Sequence, residues 1–206
     1  MKRALSVKNI LEKKYKELEL EGIWQAAIGK PEMGGTWFIY GPPKNGKTGF
    51  AMMLTKYLTK FSRVYYNSFE EGDGLSIKIA MIRHGMKEVS GKWVMPDGGT
   101  EEFTDMIERL KKKKSPNVVV IDSVQFSEMK FSDYKFLKKT FPDKIFIYVS
   151  HIQGNLPQGE IARKIYKDAC VTFEVVGHKA VPVSRFGGDG ESIVISKEKV
   201  AEFEGW

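Results

Sequence analysis

The chain has 206 residues, of which 42% are hydrophobic and 29% are charged, as expected for one globular domain with a substantial core. It has no run of about 18 apolar residues that could cross a membrane, and its basic start leads into a charged segment instead of the apolar stretch of a secretory signal. We therefore expect a cytoplasmic protein that does not enter a membrane. The formal net charge of +7 favours a polyanionic partner, because Lys and Arg side chains displace counterions from phosphates.

The first predicted element is an amphipathic helix within residues 1–21. Apolar side chains recur there at helical spacing, and charged side chains occupy the opposite face. The apolar face consists of Leu5, Ile10, Leu11, Tyr15 and Leu18. Because this helix precedes the predicted core, we expect it either to pack on that core or to clasp a neighbouring copy of the chain. Residues 22–206 are expected to form the main domain.

A phosphate-binding motif lies at residues 41–48, where the sequence reads Gly-Pro-Pro-Lys-Asn-Gly-Lys-Thr. The motif matches the pattern G-x-x-x-x-G-K-[ST], and we call it the phosphate loop. Residues 36–40, which precede it, are a β-rich run, and residues 48–58 have helical spacing, as the pattern requires. Both flanks therefore support a site for a nucleoside triphosphate.

Each residue type in the phosphate loop has a predicted role. Gly41 and Gly46 let the backbone amides turn toward the phosphates at the start of a helix, where the helix dipole favours negative charge. Lys47 supplies a positive charge to the β- and γ-phosphates, and the Thr48 hydroxyl is positioned to ligate Mg²⁺. The residues predicted to contact the nucleotide are Gly41, Pro42, Pro43, Lys44, Asn45, Gly46, Lys47, Thr48 and Gly49.

Short strands and helices alternate through the middle of the chain. Strands are predicted at residues 36–40, 63–67, 117–121 and 144–149, and helices at residues 47–60, 74–84, 100–113 and 131–139. This alternation predicts an α/β fold with a parallel sheet covered by helices on both faces. Further β-rich runs at residues 171–176, 180–185 and 192–196 are separated by Gly-rich turns, which predicts antiparallel strands that extend the sheet.

Two acidic residues follow predicted strands at the edge where the phosphate loop lies. Asp122 ends a buried apolar run and is positioned to hold Mg²⁺ through water, although an Asp at such a place can instead cap the next helix. Glu70 follows the strand at residues 63–67, where a carboxylate can polarise a water molecule in line with the γ-phosphate. His84 and His178 have no acidic or cysteine neighbours at ligand spacing, so no zinc site is predicted.

Four further motifs follow the phosphate loop. Residues 68–71 read S-F-E-E and resemble a family segment S-G-E-E, while residues 119–125 read V-V-I-D-S-V-Q and resemble V-V-I-D-S-I-Q. Residues 149–152 read V-S-H-I and resemble V-G-H-V, and residues 184–187 read S-R-F-G and resemble the end of K-N-R-F-G. Over residues 22–200 the chain resembles the ATPase core of the RecA-like superfamily, and most of all its RadA (Sms) and DnaB-type helicase branch.

The resemblance implies a three-layer RecA-like P-loop NTPase fold, ATP and Mg²⁺ as cofactors, and assembly into a homo-oligomeric ring or filament. It implies Glu70 as the catalytic glutamate and His151 as a sensor of the γ-phosphate, although a histidine at a strand end can also be a packing residue. Arg185 is implied to reach the nucleotide of a neighbouring subunit, and together with Lys47 these residues form the predicted catalytic set. The Lys of K-N-R-F-G falls on Val183, so that cation is missing.

Two loops are candidates for contact with single-stranded DNA, since cations track a nucleic-acid backbone and aromatic rings stack on bases. The candidate residues are Phe126, Lys130 and Phe131 in residues 125–132, and Asn155, Gln158, Arg163 and Lys164 in residues 153–164. Phenylalanines beside a helix are also typical core residues, so this role stays open for the two rings.

The predicted function is ATP hydrolysis coupled to single-stranded DNA in replication or recombination. The alternative is a nucleotide-dependent switch or partner-loading factor without motor activity, which the short segment after Asp122 and the missing lysine favour. A small-molecule kinase, the third hypothesis, needs an acceptor pocket and usually a mobile lid, and the sequence indicates neither.

Overall fold

An eight-stranded sheet forms the middle layer of the structure, a computed structural model that describes residues 3–205. In chain order the strands of the whole structure are β1 (Gly35–Tyr40), β2 (Val64–Ser68), β3 (Trp93–Val94), β4 (Val118–Asp122), β5 (Ile145–Ser150), β6 (Ile152–Gln153), β7 (Leu156–Pro157), β8 (Val171–Val176), β9 (Lys179–Ser184) and β10 (Ile193–Val194). In the sheet they lie in the order β10-β9-β8-β1-β5-β4-β2-β3, and β6 and β7 form a separate hairpin. Only β9 and β10 run antiparallel within the sheet, which confirms the predicted topology.

Helices cover both faces of the sheet. They are α1 (Val7–Leu11), α2 (Ile23–Ile28), α3 (Lys47–Leu58), α4 (Leu75–Arg83), α5 (Phe103–Lys111), α6 (Phe131–Thr140), α7 (Glu160–Asp168) and α8 (Lys197–Glu204). One core lies between the sheet and α2, α3 and α4, and a second core lies between the opposite face and α5, α6 and α7. No helix within residues 3–205 is long and apolar enough to span a membrane.

Strand β1 is buried on both of its faces because successive side chains point to opposite sides of a strand. Trp37 and Ile39 belong to the first core, while Phe38 and Tyr40 belong to the second. Full burial of such a side chain contributes roughly 1.5–3 kcal/mol, so the two cores fix the height of β1 in the sheet. The phosphate loop, which follows β1 directly, is thereby held at a fixed place on the sheet edge.

The carboxyl ends of four parallel strands meet at this same edge. In the strand register Tyr40 pairs with Ser150, Ser68 pairs with Asp122, and Asp122 pairs with Val149. The segments that follow β1, β2, β4 and β5 therefore emerge side by side. This arrangement brings together motifs that are up to about a hundred residues apart in sequence.

The N-terminal segment differs from the prediction. The helix α1 has only five residues and no buried side chain, so the predicted single helix that extends to Leu18 is wrong. An isolated short helix is marginal without a face to pack on, and α1 has no such contact within the described chain. Beyond it the chain is extended, and the Leu18 amide donates to the Pro31 carbonyl at 2.7 Å. Leu18 and Leu20 are buried in the first core.

The segment at residues 153–164 is also more regular than predicted. It contains most of the β6–β7 hairpin and the start of α7 instead of a single loop. The predicted C-terminal β-run at residues 192–196 shortens to β10, and the helix α8 follows it. These short elements rest on contacts with the sheet and its neighbouring segments and not on a long local pattern.

Candidate nucleotide-binding site

The glycines of the phosphate loop have a geometry that other residues could not adopt. Gly46 is the N-cap of α3 with a φ of +101°, a conformation that L side chains rarely adopt. A Cβ atom at Gly41 would lie 2.1 Å from the Val175 carbonyl oxygen. The loop therefore packs directly against the backbone of β8, and the start of α3 opens into a cleft.

The Lys47 side chain lies across the phosphate loop. It is 8% exposed, and its Nζ donates to the carbonyl oxygens of Gly41 at 3.1 Å and Pro42 at 2.9 Å. Burial lowers the pKa of Lys47, while the nearby carboxylates of Asp122 and Glu70 act in the opposite direction. A bound phosphate would replace the carbonyl partners with a stronger, charged acceptor.

Asn45 fastens the loop to the turn between β8 and β9. Its Oδ1 accepts from the Gly177 amide at 2.8 Å, and its Nδ2 donates to the Pro43 carbonyl at 3.0 Å. The middle of the phosphate loop is thus held from both sides before any ligand binds. Such preorganisation reduces the entropy that binding would otherwise cost.

The oxygen atoms expected to ligate Mg²⁺ lie in the same cleft. The Thr48 hydroxyl donates to Oε1 of Glu71 at 3.2 Å, and Asp122 accepts a hydrogen bond from the Tyr66 hydroxyl. Burial, aided by the charges of Glu70 and Glu71, raises the pKa of Asp122 to about 7, and the Tyr66 hydrogen bond opposes this rise. A hydroxyl with nearby carboxylates suits Mg²⁺, which binds oxygen ligands and shares them with nucleotide phosphates. These residues therefore fit the implied metal.

Glu70 and His151 face one another at 2.9 Å between Oε2 and Nε2. Behind them, Gln125 Oε1 accepts from the His151 amide at 3.2 Å. Its Nε2 donates to Ser150 Oγ and to the Gln158 carbonyl, each at 2.8 Å. A chain of hydrogen bonds thus runs from Glu70 to the residue that follows the β6–β7 hairpin.

All these groups line one cleft of about 880 Å³. Of the predicted site residues, the cleft lining includes Pro43, Lys44, Gly46, Lys47, Thr48, Gly49, Glu70, Asp122 and His151. Gly41, Pro42 and Asn45 support the loop from behind through the contacts given above.

Sequence reasoning missed Tyr66, Glu71 and Gln125. Glu71 and Gln125 lie inside motifs that the sequence displays, so adjacency to Glu70 and Asp122 was an available signal. The contact of Tyr66 depends on the register of β2 against β4, which the sequence does not encode locally.

Comparison with known proteins identifies the fold. No family model matches the sequence, and no curated protein matches it. Solved structures do match, among them a KaiC-like protein of Pyrococcus horikoshii with a TM-score of 0.61 and 18% identity, covering 84% of this chain and 88% of that one. The fold is RecA-like.

Two further solved structures share the RecA-like fold. The flagellar accessory protein FlaH of Methanocaldococcus jannaschii has a TM-score of 0.54 at 15% identity, and the match covers 86% of this chain and 91% of that one. The ATPase domain of a DnaB-type helicase has a TM-score of 0.53 at 16% identity, with 78% of this chain and 80% of that one covered. The RecA-like ATPase core predicted from the motifs is thereby confirmed at the level of the fold.

Arg185 is the predicted site residue that lies apart from the cleft. Ser184, which precedes it, pairs with Val171, and Val171 pairs with Trp37 near the start of β1. The guanidinium Nη2 lies 3.5 Å from the Lys167 carbonyl oxygen. Arg185 is therefore at the opposite end of β1 from the phosphate loop of its own chain, as a residue that serves a neighbouring subunit would be.

The two predicted DNA loops are adjacent in the RecA-like fold. Phe131 starts α6 and packs against the second core, so it has the core role that the sequence left open. Lys164 Nζ lies 5.1 Å above the Phe131 ring and pairs with Oε1 of Glu160. Phe126 is 54% exposed, and its ring lies edge-on to His151 with 6.3 Å between the centroids.

Proposed function

We propose that the chain is a cytoplasmic ATPase that hydrolyses ATP with Mg²⁺ and couples hydrolysis to single-stranded DNA. The observation that carries the proposal is the cleft in which Lys47, Thr48, Glu70 and Asp122 converge from three separate segments of the RecA-like fold. In the proposed mechanism the phosphate loop and Lys47 bind the β- and γ-phosphates. Thr48 and Asp122 hold Mg²⁺, which neutralises charge on the phosphates when bound.

Glu70 orients the attacking water in this mechanism. Its carboxylate is bound to His151 in the nucleotide-free arrangement, so His151 competes with water for the same oxygen. When the γ-phosphate engages His151, Glu70 is released to accept a hydrogen bond from water. The reaction is an in-line displacement in which the water oxygen bonds to the γ-phosphorus, the bond to the β–γ bridging oxygen breaks, and ADP leaves.

The proposed DNA contact lies on the far side of His151. Gln125 joins the His151 amide to Gln158 beyond the β6–β7 hairpin, and Phe126 is exposed beside them. A change at His151 therefore has a short covalent and hydrogen-bonded route to a surface with an exposed ring and nearby cations. Arg185 completes the site of a neighbouring copy in a homo-oligomeric ring or filament.

Steady-state ATP hydrolysis measured across a protein dilution series, with and without single-stranded DNA, tests this function. We expect specific activity to rise with protein concentration and to rise further with DNA, because both a neighbouring Arg185 and a DNA ligand act on the assembled form. Glu70→Gln is the control, and it should bind ATP without turning it over. Normal turnover by Glu70→Gln would remove Glu70 from the proposed role.

The second candidate is a nucleotide-dependent switch or partner-loading factor without motor activity. Val183, 69% exposed, occupies the position of the family's lysine and favours this candidate, because a site served by one cation instead of two is expected to turn over slowly. Tight ATP binding with slow hydrolysis that responds neither to dilution nor to DNA would support the switch. Stimulation by DNA that grows with protein concentration would support the motor.

A further inference from the structure

The cleft extends well beyond the phosphate loop on the side away from Glu70 and Asp122. Its far wall includes His84 at the end of α4, His178 in the β8–β9 turn, Ile195 after β10, and Lys199 on α8. None of these residues has a part in the proposed hydrolysis. The cleft therefore has a second half whose purpose the phosphate chemistry does not explain.

The two imidazoles and Ile195 contact the first turn of α3. A Cβ atom built on Gly46 would lie 2.9 Å from His178 Nδ1 and 3.4 Å from Ile195 Cδ1. A Cβ atom built on Gly49 would lie 3.0 Å from His84 Nε2 and 3.4 Å from Ile195 Cγ2. Two glycines on α3 thus make room for an apolar side chain flanked by two planar rings.

This wall is held in place by contacts of its own. The Ile195 amide donates to the His178 carbonyl at 2.9 Å. The Ser196 hydroxyl caps α8 by accepting from the Lys199 amide at 3.3 Å. On the other side of α8, the Phe203 ring lies 2.6 Å from where a Cβ of Gly177 would be. The segment after β10 is therefore a built part of the cleft.

The direction of a bound triphosphate follows from the charges. Glu70, Glu71 and Asp122 all lie at the end of the cleft where Thr48 would hold the metal between the phosphates. A γ-phosphate must be at that end, since the water-orienting glutamate is there. The nucleoside must then extend toward His84, His178 and Ile195, where no acid of the catalytic end intervenes.

The far wall suits an uncharged, planar ligand. Burial lowers the pKa of His84, with the charges of Arg83 and Lys56 adding to the effect, and burial and Lys199 lower the pKa of His178. Both rings are therefore neutral at pH 7, and each offers one hydrogen-bond donor and one acceptor. An apolar side chain between such rings matches the face and edge of a nucleobase.

We propose that Ile195, His84 and His178 form the nucleobase subsite of the cleft, so that the segment after β10 sets which nucleoside triphosphate is bound. The inference rests on the proposed function, because it assumes that the phosphate loop holds a triphosphate. It assigns base recognition to the C-terminal segment and leaves hydrolysis to the residues at the other end.

Binding of MgATP and of magnesium tripolyphosphate, measured by titration calorimetry, separates the two halves of the cleft. Ile195→Ala and His178→Asn should each weaken ATP binding at least about tenfold while tripolyphosphate binding stays within about twofold, because tripolyphosphate has no base. Asn suits position 178, whose φ is +58°, since Asn tolerates that region. Val194→Ala is the matched control, because its side chain, 37% exposed, points to the opposite face from Ile195.

Each remaining outcome has a distinct meaning. An equal loss of ATP and tripolyphosphate affinity in both variants would overturn the subsite, as would unchanged ATP affinity. Failure of the unaltered chain to bind either ligand would instead overturn the proposed function. Competition by GTP and CTP gives a second readout, in which the preference among bases should flatten in Ile195→Ala and His178→Asn and persist in Val194→Ala.

Discussion

Tyr66 donates a hydrogen bond to Oδ2 of Asp122 from the neighbouring strand. Both residues are buried, and burial raises the pKa of Tyr66 well above its usual value, so the hydroxyl remains a donor. Tyr66→Phe removes that donor and leaves a buried carboxylate oxygen unsatisfied. We expect the free energy of unfolding, measured with urea, to fall by about 1–3 kcal/mol. The Mg²⁺ concentration needed for half-maximal ATP turnover should also rise, because Asp122 loses its anchor.

Tyr148→Phe is the matched control for this prediction. Tyr148 is equally buried, and it lies on β5, the neighbour of β4 on the other side. The same hydroxyl deletion there should leave the Mg²⁺ dependence unchanged. An identical Mg²⁺ shift in both variants would mean that the effect comes from general loosening of the sheet and not from Asp122.

Glu101 is the acceptor of a buried-side ion pair beside β2. Arg109 donates to its two carboxylate oxygens, from Nε at 2.7 Å and from Nη2 at 2.8 Å, and Tyr65 donates as well. Burial alone would raise the pKa of Glu101, but the hydrogen bonds from Arg109 and Tyr65 outweigh it and lower the pKa. A lowered pKa in the folded state stabilises the protein above the unfolded-state value of about 4.3 and loses this effect as the pH falls through the folded-state value.

Glu101→Gln should therefore reduce the free energy of unfolding by about 1–3 kcal/mol at pH 7. The difference from the unaltered chain should narrow progressively below about pH 4.3. Urea unfolding at a series of pH values gives this comparison. Glu108→Gln is the control, since Glu108 pairs with Lys111 on the exposed surface of α5, and its effect should be small at every pH. A difference for Glu101→Gln that is constant with pH would contradict the assigned ion pair.

The segment that carries Glu70 is held by a second loop at residues 96–101. The Ser68 amide donates to the Gly99 carbonyl at 2.9 Å, and a Cβ at Gly99 would lie 2.0 Å from the Gly72 carbonyl carbon. Gly99→Ala must therefore push the two loops apart. Because a 1 Å displacement of a catalytic group can cost about 100-fold, we expect a large loss of kcat with ATP binding nearly retained. Single-turnover hydrolysis and nucleotide titration measure the two quantities.

Gly98→Ala provides a close control for the loop contact. Gly98 has a φ of +73° and Gly99 a φ of +80°, so alanine meets a comparable backbone strain at both positions. A Cβ at Gly98 would have no neighbour within 4 Å. Only Gly99→Ala should therefore reduce kcat strongly, and equal losses in both variants would attribute the effect to backbone strain alone.

Elements with a sustained hydrophobic period were predictable from the sequence, and short elements were not. Strands β1, β4 and β5 are buried on both faces, which produces the continuous apolar runs that predicted them. The helix α2 has only six residues, and the Trp24 ring packs on Tyr57 of α3 at 5.1 Å between centroids. Such a helix depends on tertiary contacts and leaves little local pattern.

The N-terminal segment shows the reverse case. Its apolar residues have helical spacing, yet Leu5, Ile10 and Leu11 are at least half exposed and α1 has one turn and a half. Periodicity predicts a helix only if something covers the apolar face. The role of this segment as a clasp on a neighbouring copy stays a prediction.

The candidate site divides along the same line. Lys47, Thr48 and Asp122 were predictable because each belongs to a local motif with a fixed chemical role. The contact between Tyr66 and Asp122 and the far wall around His178 depend on strand register and on the path of the C-terminal segment. Those are long-range properties, and no local pattern in the sequence encodes them.

At the scale of the whole molecule, the sheet separates Arg185 from the phosphate loop. Strand β9 runs antiparallel to β8, which brings Ser184 level with Val171 and hence with Trp37, and Gly41 lies four residues further along β1. Four residues of strand span about 13 Å, so Arg185 is on the wrong side of its own sheet to serve its own cleft. A catalytic role for Arg185 therefore requires a second copy of the chain.

Mixing two inactive variants tests this arrangement. Lys47→Ala damages the cleft of its own chain, and Arg185→Ala removes the cation offered to a neighbour, with an expected loss of about 10³-fold or more in the cooperative rate. In a random mixture about a quarter of the interfaces pair an intact cleft with an intact Arg185, so a corresponding part of the activity should return. Lys47→Ala mixed with Glu70→Gln is the control, since both lesions lie in one cleft and no pairing repairs it. If the first mixture hydrolyses no more ATP than the control mixture, then Arg185 does not act on a neighbouring subunit.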